Sequence, residues 1–155
     1  MQDTVFNIQT AHDFKEAALK VFRHQFKNNS IYRSFCDLLY IHPSDVKKVE
    51  EIPFLPIQFF KSHQILSSKE PILETFTSSG TTGSVTSKHL VTDIGLYEKS
   101  YQKGFQHFYG DIEEYVVLAL LPNYLERKGS SLAYMVDDLI RKTKNKESGF
   151  YLNNL

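Results

Sequence analysis

The hydrophobic period of this chain changes partway along its length, and that change sets what it can fold into. Up to Leu39 apolar residues recur at helical spacing. From Pro71 they alternate, and from Tyr115 to Leu121 they run unbroken. A helical period, then a period of two, then a short continuous apolar run followed by a further helix reads as α/β, with parallel pairing between later strands.

In the helical part, Thr10 with Asp13 three residues on has the pattern of a capping box. Phe14, Ala17, Ala18, Val21, Gln25 and Phe26 follow as the predicted inner stripe. Asn28-Asn29-Ser30 ends that helix, with Ser30 as the expected cap of the next, whose stripe is Ile31, Phe35, Leu38 and Leu39. Residues 43–52 read as a turn and a short polar helix. In Ile52-Pro53-Phe54-Leu55-Pro56-Ile57-Gln58-Phe59-Phe60-Lys61, two prolines three apart forbid a regular helix or a central strand. This segment is expected to run extended over the core and turn helical after Pro56. The organisation is thus a helical support at 1–50, a Pro/Phe strap at 51–70 and an α/β portion at 71–155.

Ile72, Glu74 and Phe76 alternate with Leu73, Thr75 and Thr77, a strand pattern, and His89 to Thr92 is a second short strand. The two are expected to form a hairpin. Asp93 can cap a helix carrying Tyr97, Tyr101, Phe105 and Phe108 on one face and ending at Gly110. Tyr115–Leu121 has the mark of a strand buried on both faces. Gly129-Ser130-Ser131 can open a helix with Leu132, Met135, Val136, Leu139 and Ile140 inward, 141–147 is a charged turn, and Gly149 to Leu152 begins a further strand. A sheet that stops as this strand begins is expected to be part of a longer protein.

Composition narrows the function classes. Of 155 residues, 41% are hydrophobic and 23% charged, ordinary for one globular domain with a real core. Lys plus Arg equals Asp plus Glu at 18 each, so net charge gives no reason to expect nucleic acid or an anionic membrane. A single cysteine, Cys36, excludes an internal disulfide and a Cys-rich metal site. With no apolar signal-like segment at the start and no stretch long enough to span a bilayer, the expected setting is the cytoplasm.

Between the two short strands lies Thr77-Ser78-Ser79-Gly80-Thr81-Thr82-Gly83-Ser84-Val85-Thr86-Ser87-Lys88-His89 (77–89), in which eight of thirteen residues are Ser or Thr. Gly80 and Gly83 admit positive φ, which lets successive N–H groups converge on one anionic oxygen; hydroxyls add donors and Lys88 adds charge. The pattern is not a Walker loop, because Val85 stands where GxxxxGK[ST] needs glycine, and there is no GxGxxG. On the residues alone, phosphate or nucleotide binding stands modestly ahead of a polar turn without a ligand. His89 adjoins Lys88 beside the loop and is a candidate phosphate or substrate contact. Asn123 and Tyr124 follow the C-terminal end of the apolar strand, where α/β folds place ligands, and are candidates for the same role.

Ser79-Gly80-Thr81-Thr82-Gly83 resembles the phosphate-binding motif of the adenylate-forming (ANL) superfamily: acyl-CoA synthetases, firefly luciferase and peptide-synthetase adenylation domains. The strap IPFLPIQFFK (52–61), the motif TSSGTTG…SKH (77–89) and the LP-x-Y turn (121–124) together resemble the LuxE-like acyl-protein synthetases of bacterial bioluminescence operons. The resemblance implies the N-terminal part of an ATP-dependent ligase that converts a fatty or other carboxylic acid to an acyl-adenylate and passes the acyl group to a protein thiol. It implies an incomplete adenylate-forming fold: a helical subdomain, a strand–loop–strand phosphate loop and the start of a mainly parallel sheet flanked by helices. Ser78, Ser79, Gly80, Thr81, Thr82, Gly83 and Ser84 would hold the ATP phosphates and Lys88 would offset their charge. Mg²⁺ is expected with ATP, without a nameable carboxylate ligand.

The chain departs from the superfamily in placing Val85-Thr86-Ser87 before Lys88, where Pro then Lys is common. It lacks matches to the downstream adenine, ribose and catalytic-lysine motifs, so no catalytic residue is assigned and the chain alone is not expected to complete the reaction. The implied partners are the acid, ATP and the C-terminal remainder of the protein, with an oligomer or an acyl-carrier or reductase partner also compatible. A CoA ligase resembling phenylacetate–CoA ligase and a non-catalytic nucleotide-binding or interaction module are the alternatives. Cys36, between Phe35 and Leu38 in a helical apolar segment, reads as a buried inert thiol; the resemblance puts the acceptor cysteine in the later region. The six histidines show no metal-ligand spacing, and Asp137 and Asp138, adjacent on a helix, point apart and do not make an acid/base pair.

Overall fold

A computed structural model describes residues 2–78, 85–123 and 128–152, with side chains from residue 4. It is mixed α/β. The helices are α1 (Gln2–Val5), α2 (Ala11–Asn28), α3 (Ser30–Leu38), α4 (Phe59–Ser62), α5 (Ile94–Tyr109) and α6 (Ser131–Lys142). The strands are β1 (Glu74–Thr77), β2 (Lys88–Val91), β3 (Leu118–Ala119) and β4 (Gly149–Phe150). The chain divides into two compact units, Met1–Ile72 with Ser87–Thr92, and Leu73–Thr86 with Asp93–Leu155. Among the described residues no helix is long and apolar enough to cross a membrane.

In the first unit α2 starts at the predicted capping box: the Asp13 amide donates to Thr10 Oγ1 (3.1 Å) and the Thr10 amide to Asp13 Oδ2 (3.0 Å). Asn29, not Ser30, joins α2 to α3. Its N–H closes α2 on the Gln25 carbonyl (2.8 Å), and its Oδ1 accepts from the Tyr32 amide (3.1 Å) to open α3. Asn29 is extended, as an N-cap must be, which leaves Ser30 inside the helix.

The buried faces differ from the expected stripes by a rotation about each helix axis. On α2, Leu19 and Phe22 join Ala17 and Phe26 inside, whereas Phe14 is exposed. On α3, Tyr32 and Cys36 are buried, while Leu38 and Leu39 are exposed. Tyr32 can go inside because its hydroxyl donates to the Pro53 carbonyl (2.6 Å) and so loses no hydrogen bond on leaving water. Leu19, Phe22, Phe26, Tyr32, Cys36 and Val46 form the core. The strap crosses it as predicted: Ile52 and Leu55 pack down on the core and Phe54 faces out. The short helix after Pro56 is α4, whose Phe59 ring meets Phe35 edge-on at 5.8 Å.

In the second unit Asp93 caps α5 through the Leu96 amide (3.1 Å), and Gly110 ends that helix at φ +88°. Tyr97 and Tyr101 face inward, and Phe105 packs against Tyr115 at 5.5 Å. Phe108, in the last turn, is instead largely exposed. Ser130 caps α6 through the Ala133 amide (3.3 Å). Its inner face centres on Ala133, Asp138 and Leu139, and Leu132 is exposed.

α6 links β3 to β4, which pair in parallel with Leu118 opposite Gly149 and Ala119 opposite Phe150. A parallel pair needs such a crossover, so the predicted topology is present here. The expectation that Tyr115–Leu121 is buried on both faces is not met. Only Ala119 is buried; Val116, Leu118 and Leu120, which share the opposite face by the period of two, are exposed. The charged turn is also shorter than expected, because α6 continues to Lys142. Thr143 is buried with its hydroxyl bonded to the Ile140 carbonyl (2.8 Å).

Candidate functional site

The site candidates fall on both units. Lys88 and His89 open β2 in the first unit, both exposed. The His89 ring lies parallel to Phe60 of α4, with centroids 6.5 Å apart and planes within 8°. The near-parallel ring contact sets His89 against Phe60 while the residue stays exposed. Sequence reasoning singled out His89 but treated Phe60 only as part of the strap. The neighbouring Phe59 stacks on His63 at 5.1 Å, so α4 presents two Phe–His stacks in succession.

In the second unit Ser78 follows directly on β1, at the entry to the Ser/Thr/Gly loop. β1 is held at that end by its side chain and its backbone. Phe76, 5% exposed, lies between Tyr97 (5.1 Å) and Tyr134 (5.8 Å). The Thr77 amide donates to the Gly129 carbonyl at 2.8 Å. Asn123 is half-buried in the same unit. Ser79, Gly80, Thr81, Thr82, Gly83, Ser84 and Tyr124 lie outside the described residues.

Behind the aromatic cluster is a charged network that the sequence did not reveal. Asp138, 8% exposed, accepts from the Tyr101 hydroxyl (2.6 Å), Lys142 Nζ (2.6 Å) and Gln102 Nε2 (3.4 Å). Burial alone would raise its pKa. The hydrogen bonds from Lys142 and Tyr101, with the charges of Lys142 and Arg141, outweigh burial and hold the carboxyl below its ordinary value. The same contacts push Tyr101 far up, through burial first and its bond to Asp138 second. Tyr134, half-buried and donating to Glu98 Oε1 (2.7 Å), is raised to about 12 by burial and that bond. Asp137 points away to Arg141 (3.0 Å), as adjacent helical positions require.

Cys36 is fully buried, and burial raises its thiol pKa. A thiol without exposure or thiolate character is a poor nucleophile. In the native protein it is expected to react with a disulfide reagent at least ~100-fold more slowly than in denaturant, since attack must wait for local opening. Absorbance at matched reagent concentration measures both rates; equal rates would restore Cys36 as a candidate acceptor. Among the described residues no three of His, Cys, Asp and Glu are placed to hold a metal ion.

The family model for the acyl-protein synthetase LuxE matches residues 7–114, which take in the strap, β1, the loop, β2 and α5. This chain belongs to the LuxE acyl-protein synthetase family. LuxE membership accounts for the Pro/Phe strap and the Ser/Thr/Gly run occurring in one chain, since both lie inside the matched span. A curated relative, the long-chain-fatty-acid–luciferin-component ligase of Photorhabdus luminescens, is 36% identical over 70 residues, covering 44% of this chain. The chain spans 60% of that relative's length. No solved structure shows a significant match to this LuxE-family chain.

Proposed function

We propose that this chain is the N-terminal part of an ATP-dependent acyl-adenylate-forming ligase that activates a fatty acid, or another carboxylic acid, for transfer to a protein thiol. The observation that carries this reading is the LuxE family match over 7–114, which encloses the whole Ser/Thr/Gly run. The ligase name of the Photorhabdus relative supports the reaction class and the fatty-acid substrate. The adenylate-forming superfamily and the phosphate role of the loop rest on the Ser79-Gly80-Thr81-Thr82-Gly83 pattern.

In this reading the acid carboxylate attacks the α-phosphorus of ATP and pyrophosphate leaves, giving an acyl-adenylate. A thiolate then attacks the acyl carbon, forming a thioester and releasing AMP. Negative charge builds on the departing pyrophosphate in the first step. N–H and hydroxyl donors from Ser78 through Ser84, with the Lys88 ammonium, would offset that charge electrostatically. The stretch from Ser78 to His89 carries hydroxyl, amine and imidazole side chains and no carboxylate, the residue types an anion calls for. Mg²⁺, expected with ATP, would add positive charge beside the phosphates, and residues 77–89 offer no carboxylate that would hold it. Asn123 and Tyr124 are placed on the acid side. The setting proposed is cytoplasmic, with the remainder of the protein supplying the ribose contacts, the catalytic lysine and the acceptor cysteine.

Acid-dependent exchange of labelled pyrophosphate into ATP by the full-length protein tests the first step. Exchange is expected with long-chain acids. Its absence with every acid from short to long chain would overturn the enzyme reading in favour of a non-catalytic nucleotide-binding or interaction module. Labelled acyl groups that appear on CoA instead of on protein would replace the acceptor.

A further inference from the structure

We propose that Gly129 is a positioning residue for Ser78, acting through the backbone of Thr77; the inference rests on the nucleotide reading of the loop given above. Ser78 is the first of the residues assigned to phosphate, and its placement depends on where β1 ends. The Thr77 amide donates to the Gly129 carbonyl at 2.8 Å, so the last residue of β1 is tied to a segment far along the sequence. Two observations show why glycine suits this approach. Gly129 has φ +82°, a conformation that L side chains rarely adopt. A Cβ built on it would stand 3.3 Å from the Thr75 carbonyl oxygen and 3.4 Å from Thr77 Oγ1. The first contact is with strand backbone, which cannot swing aside as a side-chain tip can.

The Gly129 segment is itself anchored. The next residue, Ser130, caps α6, and the Ser131 carbonyl accepts from the Tyr97 hydroxyl at 2.9 Å. The Tyr97 ring in turn packs on Phe76. Tyr97 therefore touches β1 directly and holds the segment that holds β1, closing a loop of contacts through Phe76, Tyr97, Ser131, Gly129 and Thr77. Ser78 leaves β1 immediately beyond this clasp. Donors that must meet a developing charge gain from such fixing, because their orientation is set before the substrate arrives.

The test is Gly129→Ala in the full-length protein, with Tyr97→Phe as a milder companion that keeps the ring on Phe76 and removes only the bond to Ser131. Three measurements are made on each: thermal unfolding, hydrogen exchange at the Thr77 amide, and KM for ATP against kcat in acid-dependent pyrophosphate exchange. The expected result for Gly129→Ala is faster exchange at Thr77 and a kcat/KM for ATP lowered roughly tenfold to a hundredfold, with kcat itself reduced because the displaced donors meet charge that develops in the transition state. Tyr97→Phe should move both in the same direction by a smaller factor, and it carries the test if Gly129→Ala does not fold. A merely structural role would lower the unfolding midpoint and leave the kcat of the folded protein at the wild-type value. Unchanged Thr77 exchange, or an unchanged kcat/KM for ATP in folded variants of a wild type that binds ATP, overturns this proposal alone. A wild type that binds no ATP overturns the function reading and this inference with it, and that outcome is visible before any variant is made.

Discussion

Asp138→Ala is expected to destabilise the protein by about 3 kcal/mol, read as the loss in unfolding free energy from urea titration. Removing one partner of a buried ion pair costs ~3–5 kcal/mol because the other charge stays behind. Lys142 keeps a third of its side chain in water and can turn outward, which argues for the low end of that range. What cannot turn away is the Tyr101 hydroxyl, half-buried in the Tyr97–Tyr134 cluster, which would lose its acceptor. Tyr101→Phe made alone and with Asp138→Ala tests the account. A coupling energy of about 1–2 kcal/mol is expected for groups in one network, and simple additivity would show that the short Tyr101–Asp138 contact contributes nothing.

The same carboxylate gives a pH dependence with a definite sign. Its pKa is lower in the fold than in the unfolded chain, so the unfolded state takes up the proton first as pH falls. Its stabilisation is therefore fully present above about pH 5, and it is lost progressively as pH drops through the unfolded value near 4 and on toward the folded one. Asp138→Asn removes this titration. The stability gap between wild type and Asp138→Asn should narrow below pH 4, and a gap constant from pH 7 to pH 3 would contradict the assignment. Other depressed carboxylates, such as Asp13 in its capping box, cancel in that difference.

What the sequence revealed of this fold is what local chemistry dictates. Thr10 with Asp13, Asp93 before α5 and Ser130 before α6 each satisfy an amide three residues away, so their pattern is complete within one turn. The strap was legible for a similar reason: Pro53 and Pro56 restrict their own backbone wherever the chain goes. The failures involve partners distant in sequence. Leu19 and Phe22 against Phe14 is a choice between neighbouring stripes of one helix, decided by where α3 and the strap pack. Tyr32 lies outside the expected stripe, and what takes it inside is the distant Pro53 carbonyl that accepts from its hydroxyl. Val116, Leu118 and Leu120 had the composition of a doubly buried strand, yet composition does not say what lies against either face. The candidate site divides along the same line. The candidate loop, with Lys88 and His89 beside it, could be named from residue types alone. Gly129 could not, because neither its positive φ nor its bond to Thr77 leaves a trace near residue 77.

Gly80→Val and Gly83→Val in the full-length protein are each expected to weaken ATP binding on the order of a hundredfold while leaving the unfolding midpoint close to that of wild type. The affinity estimate follows from the proposed chemistry. A hydrogen bond to a charged oxygen contributes roughly 1.5–3 kcal/mol, and a hundredfold loss corresponds to one or two such bonds. Valine removes them in two ways. Its branched Cβ disfavours the positive φ that lets successive N–H groups converge, and it adds bulk where backbone must approach phosphate closely. Stability should change little, because the run has few apolar side chains to bury and the buried groups around β1, Phe76 above all, precede it. Titration calorimetry with ATP and a thermal scan on the same samples separate the two quantities. Unchanged affinity in both variants would remove the phosphate role from the loop. Unfolding in both would assign these glycines to the fold. A Gly83→Val effect without a Gly80→Val effect would confine the phosphate contacts to the second half of the run, next to Lys88.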